Sequence, residues 1–118
     1  MPSLVITIKR DDTTKEWFIP SVDNFDKYFS QEEIDNILMP YYNTIHSLPG
    51  LLSVTPIQVD DYTRTVTYEL DTKENLQGLL NFLHRPDSQL SRDRQILVGI
   101  KRAELELPFY KYESKINL

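Results

Sequence analysis

Leu4, Ile6 and Ile8 share one face in "LVITIKR" (residues 4–10), the two-residue period of a strand. "DDTT" (11–14) is a turn by composition, since Asp and Thr side chains bond nearby backbone groups. "KEWFI" (15–19) reads as a second short strand, closed by Pro20. Ser30 and Glu33 then stand at capping-box spacing, with Phe29 and Ile34 at the staple positions, so a helix is expected to start there. Ile34, Ile37, Leu38, Tyr41, Ile45 and Leu48 continue it on one face. Pro40 interrupts the helix but not its apolar phase. A proline inside a helix costs about 3 kcal/mol, and the unbroken phase favours a kink near 36–40 over a break.

Gly50 stands where a left-handed residue ends a helix. "LLSVTPIQV" (51–59) follows as a strand whose apolar parity changes at Pro56, predicting a bulge there or an edge strand. "TRTVTYEL" (63–70) turns Val66, Tyr68 and Leu70 to one side. Asp71 and Glu74 repeat the capping-box spacing, and Leu76, Leu79, Leu80 and Leu83 give a second amphipathic helix ending near His84. "QILVGIKRAELEL" (95–107) reads as a long closing strand, bulged or split, and "PFYKYESKINL" as an aromatic tail.

The expected fold is α+β: a ferredoxin-like antiparallel sheet with two helices on one face, plus an extra N-terminal hairpin strand. The domain reading is a single α+β domain over 1–107 and a C-terminal aromatic tail over 108–118. The other sheet face should keep apolar residues near Thr65 and Val66, and such a face usually finds a partner.

The stretch "LPGLLSVTPIQVDDYTRTVTYELDTKENLQGLLNFLHRPDS" (48–88) resembles the dimeric α+β barrel superfamily, which includes the antibiotic-biosynthesis monooxygenases and haem-degrading relatives. Those chains carry Pro-Gly and a short apolar strand after the first helix, then a hairpin partner and a polar helix start. The haem-degrading branch also has a Trp after the third core strand and an Asn in the first. Here Leu70-Asp71 and "LVITIKR" occupy those regions, and the single Trp is Trp17. The resemblance implies a shape and a dimer rather than an inherited activity.

Composition narrows the chemistry. The 118 residues are 40% apolar and 11% aromatic, enough for one packed core. There is no cysteine, which removes thiol nucleophiles, disulfides and Cys-ligated metals. The net charge of −5, with basic residues interleaved among acids, argues against binding to nucleic acid or to an anionic membrane. The lack of a long apolar run or signal-like start leads to the expectation of a cytoplasmic protein.

Candidate site residues are few. His84 is a general-base candidate, with Tyr68 and Tyr41 as hydrogen-bond donors, should the protein be an enzyme. The plainer reading of His84 is a helix C-terminal histidine favoured by the macrodipole. Trp17, Tyr42 and Phe82 are candidates to line a pocket for a flat organic ligand, against ordinary core packing. His46 ends the first helix and invites the readings given to His84. It should lie at the opposite end of the domain from His84, so no shared metal site is expected, and no cofactor is assigned. Asp11-Asp12 and Asp60-Asp61 read as turns rather than metal pairs. Arg85, Arg92, Arg94, Lys101 and Arg102 form the one basic concentration, read as solvated surface rather than an anion site. Phe109, Tyr110 and Tyr112 are interface candidates. The expected function is a small, non-enzymatic, self-associating binding or assembly domain, with a homodimer or another protein as partner. The alternative is a cofactor-independent, monooxygenase-like enzyme acting on a flat organic substrate.

Overall fold

A computed structural model describes residues 1–84 and 89–118. It contains four strands, β1 (Ser3–Lys9), β2 (Leu51–Gln58), β3 (Thr63–Leu70) and β4 (Lys111–Asn117). The helices are α1 (Phe25–Tyr28), α2 (Gln31–Glu33), α3 (Met39–His46), α4 (Lys73–His84) and α5 (Gln89–Glu104). The strands form one antiparallel sheet in the order β2-β3-β1-β4, the ferredoxin-like arrangement. The chain divides into two compact units: Met1–Glu16, Leu48–Leu79 and Pro108–Leu118 form the first, Trp17–Ser47 and Leu80–Leu107 the second.

In the sheet unit, facing residues of an antiparallel ladder share a face. The register sets Leu4 opposite Tyr68 and Ile116, Ile6 opposite Val66 and Ser114, and Ile8 opposite Arg64 and Tyr112. Leu4, Ile8 and Leu70 are buried on this face, and Leu76 and Leu79 of α4 are buried in the same unit. The other face carries Val5, Thr7, Thr63, Thr65, Thr67, Thr55 and Ile57, and none of these is buried. This corrects the expectation of an apolar open face. Threonine occupies most of it, because the odd-numbered positions of "TRTVTYEL" are polar.

Local signals set the corner before β2. Gly50 has a φ of 74°, and its carbonyl accepts from the Asp71 N–H at 3.0 Å. The Asp71 carboxylate and Asn75 amide, themselves bonded at 2.8 Å, occupy the place of a Gly50 Cβ, so both side chains would have to shift to admit one. The expected Asp71–Glu74 capping box is replaced by Thr72, whose hydroxyl accepts from the Asn75 N–H at 3.1 Å. β2 is an edge strand, as its proline implied, but its register shift lies between Leu51 and Ser53. Asp12 accepts from the Thr14 N–H and Asp60 from the Tyr62 N–H, each at 2.8 Å, so these aspartates make turns.

In the helical unit, Ser30 and Glu33 form the expected capping box, with bonds of 3.2 and 2.9 Å. The helix then widens into a π turn over Ile34–Leu38 before α3, where Pro40 sits in the first turn. A wide turn relieves the clash between the proline ring and the carbonyl four residues earlier, so the apolar phase survives. Phe18, Phe25, Phe29, Ile34, Leu38 and Val98 make one buried cluster.

Two strand expectations are corrected here. Residues 15–19 form no strand, so the extra N-terminal hairpin strand does not exist. Phe18 instead enters the helical cluster, edge-on to Tyr28 at 5.0 Å. Residues 95–104, expected as strand, belong to α5. A strand would place Ile96, Val98 and Ile100 on one face. Val98 is buried while Ile96 and Ile100 are 60% and 53% exposed, the separation a helix produces. α5 ends with Glu106 at a φ of 56°, the Leu107 N–H reaching the Arg102 carbonyl at 3.0 Å and the Glu106 N–H the Ala103 carbonyl at 3.1 Å. That is a Schellman stop built on a residue other than glycine. The fourth strand is β4, from the segment expected as a tail.

Candidate functional site

Among the candidate catalytic and ligand residues, the helical unit brings Tyr41 and Phe82 together, their ring centroids 5.4 Å apart. The Arg94 guanidinium of α5 lies over the Tyr41 ring at 5.2 Å. Burial pushes the Tyr41 hydroxyl above the ordinary phenol range, opposed by the Arg94 charge. Tyr41 is therefore a neutral donor at physiological pH. Tyr42 points the other way, exposed, with its ring 4.3 Å from His46 one helical turn later. Trp17 is half-buried beside Phe18, and His84 is exposed at the last residue of α4. Tyr68 is half-buried on β3 in the sheet unit, opposite Leu4 and Val54.

The basic concentration resolves into local contacts. Arg92 donates to Gln89 at 3.0 Å, Lys101 pairs with Glu104 at 3.0 Å, and Arg102 lies over the Phe18 ring at 5.8 Å. Arg85 lies outside the described residues. Among the described residues no group of three or more His, Asp or Glu side chains is placed to hold a metal ion.

Of the interface candidates, Phe109 and Tyr110 lead into β4 and Tyr112 lies within it. Tyr110 is buried, while Phe109 is 82% and Tyr112 54% exposed. Every residue of β4 is exposed, and Tyr112, Ser114 and Ile116 share one face of it. Which backbone groups face outward follows from the ladder. The Arg10 N–H donates to the Tyr62 carbonyl at 2.9 Å and the Leu70 N–H to the Pro2 carbonyl at 3.0 Å. Successive strand residues turn their N–H and C=O to opposite sides. Even residues of β1 therefore face β3, and odd ones face β4. By register, Lys111, Glu113, Lys115 and Asn117 bond to β1. Tyr112, Ser114 and Ile116 turn their backbone groups to the open edge.

Sequence reasoning missed Ser114, Glu113, Lys115 and Ile116. The alternation of "KYESKIN" was the available signal, but 95–107 had taken the place of the closing strand.

No protein-family model matches the chain, and no curated protein matches it. Among solved structures it is similar to the crystal structure of a dimeric ferredoxin-like protein from an uncultured marine organism. The TM-score is 0.54 at 10% sequence identity, covering 100% of this chain and 93% of that one. At that identity the likeness shows the fold. No helix among the described residues is long and apolar enough to cross a membrane.

Proposed function

We propose that the chain is a small, non-enzymatic, self-associating binding or assembly domain. The observation that carries this reading is β4, an edge strand exposed along its whole length with Tyr112 and Ile116 on one side. An exposed edge strand is a template for another chain, and a persistent monomer ordinarily blunts it. The dimeric state named for the ferredoxin-like neighbour supports the same reading. Light scattering on a size-exclusion column tests it. The expected mass is about twice the 13.9 kDa of one chain. A single-chain mass across the micromolar range refutes it.

The alternative, a cofactor-independent monooxygenase-like enzyme, draws on one observation: Tyr41, half-buried and packed against Phe82 under Arg94. In that reading Tyr41 donates to a flat substrate and His84 acts as base. Unchanged binding of the flat probe 8-anilinonaphthalene-1-sulfonate by Tyr41→Phe and His84→Ala variants counts against it.

A further inference from the structure

Tyr112, Ser114 and Ile116 turn their N–H and C=O groups away from β1, and β4 has no proline and no bulge. An identical strand can add there in antiparallel sense only about a two-fold axis normal to the sheet, since a two-fold along the strand gives parallel strands and one across the strands in the sheet plane does not set the copy alongside the edge. Facing residues must then share a face, so the axis passes through a residue.

The sequence of β4 discriminates between the possible axes. An axis at Glu113 sets Glu113 against itself and Lys111 against Lys115, and an axis at Lys115 sets Lys115 against itself. Axes at Tyr112 or Ile116 leave about half the strand without a partner. An axis at Ser114 sets Glu113 opposite the partner's Lys115, Tyr112 opposite the partner's Ile116, and Lys111 opposite the partner's Asn117, each twice by symmetry. The hydrogen-bond directions agree with this register. Ser114, Tyr112 and Ile116 are the outward residues, so each facing pair among them exchanges two N–H···O bonds. Glu113 and the partner's Lys115 fall at the closer, non-hydrogen-bonded positions, where side-chain pairs interact most strongly.

We propose that two copies of this chain join through β4, antiparallel and centred on Ser114, to make one continuous sheet. This rests on the self-association reading above and specifies its interface. Lysines on an edge strand ordinarily repel a second strand. Here Glu113 between Lys111 and Lys115 converts that repulsion into a choice of register. Glu113 already lies 3.5 Å from Lys9, with side chains 66% and 48% exposed. In the dimer its carboxylate is shared between Lys9 and the partner's Lys115. The aromatic and β-branched side chains of Tyr112 and the partner's Ile116 meet on the face that holds Leu4 and Ile8.

The test is a mass measurement by light scattering on the full chain and its variants, with circular dichroism to confirm folding. Wild type is expected to be a dimer. Ser114→Pro removes an N–H that β1 does not use and places a ring at the axis, so it is expected to be a folded monomer. Glu113→Lys and Lys115→Glu each set like charges across the axis and should raise the dissociation constant about tenfold to a hundredfold. Mixing these two variants restores opposite charges at both symmetric positions and should recover the dimer. So should the double reversal within one chain. A dimer unmoved by Ser114→Pro and by both reversals overturns the strand pairing and leaves self-association standing. A monomeric wild type overturns both.

Discussion

The two edges of the sheet differ in how they meet solvent. Among the described residues, β2 and β4 each pair on one side only. Just past β2 the Val59 N–H donates to the Thr63 carbonyl at 3.0 Å, so odd residues of β2 face β3 and Pro56 turns outward. The outward position that would offer a donor at mid-strand offers none, and the register shift between Leu51 and Ser53 disturbs the ladder at its start. β4 has neither device. Each edge is also entered through a left-handed residue, Gly50 before β2 and Glu106 before β4. One sheet thus carries an edge blunted by a proline and a register shift and an edge guarded only by lysines, and the difference between them is a few residues of side-chain and backbone chemistry.

The largest expected effect separates the buried strands from the edges. Leu70→Ala empties a fully buried position and should cost about 2–5 kcal/mol in urea unfolding. Ile116→Ala, tested in the Ser114→Pro background, should cost less than about 1 kcal/mol, because half of that side chain is already in water. Equal costs would make β4 part of the core rather than an edge.

Gly50→Ala should cost about 1–3 kcal/mol, since the added Cβ meets the Asp71 and Asn75 side chains in a left-handed conformation. Glu106→Gly should gain about 0.5–1 kcal/mol by removing the same backbone penalty. Thermal unfolding of the two variants checks this opposition of sign, and shifts in the same direction would break it. Pro56→Thr should change stability by less than about 1 kcal/mol. It also returns an outward donor to β2, so species heavier than a dimer are expected in light scattering at high protein concentration. An unchanged mass would assign the blunting of β2 to its register shift rather than to the proline. Smallest of all is the response to salt. Raising ionic strength to about 1 M shortens the screening length to about 3 Å and should weaken the dimer by less than about tenfold, because the backbone pairing is insensitive to it.

Much of the first three strands was legible. The alternation in 4–10 and 63–70, the capping box at Ser30 and Glu33, the corner at Gly50 and the edge character signalled by Pro56 are all present where the sequence places them. α5 was illegible for two physical reasons. Its apolar run Ile96–Ile100 contains three β-branched residues, and a short run of that kind carries no period that separates strand from buried helix. Its stop is Glu106, where a glycine would have marked the helix end. Once α5 was read as the closing strand, β4 could be read only as a tail. Of the candidate site, the aromatic residues stood out by type, but the partnership of Tyr41 with Phe82 joins two helices with the whole β2–β3 hairpin between them in the chain.

By itself, then, the sequence determined local periods, caps and turns, and with no cysteine it excluded thiol chemistry, because each of these depends on residues a few positions apart or on residue type alone. The tertiary structure decided that 111–117, rather than 95–107, completes the sheet. It also decided that Tyr112, Ser114 and Ile116 turn their backbones outward. Both follow from the pairing register with β1, a strand more than a hundred residues away, and no local pattern specifies which side of a strand its hydrogen bonds will leave open.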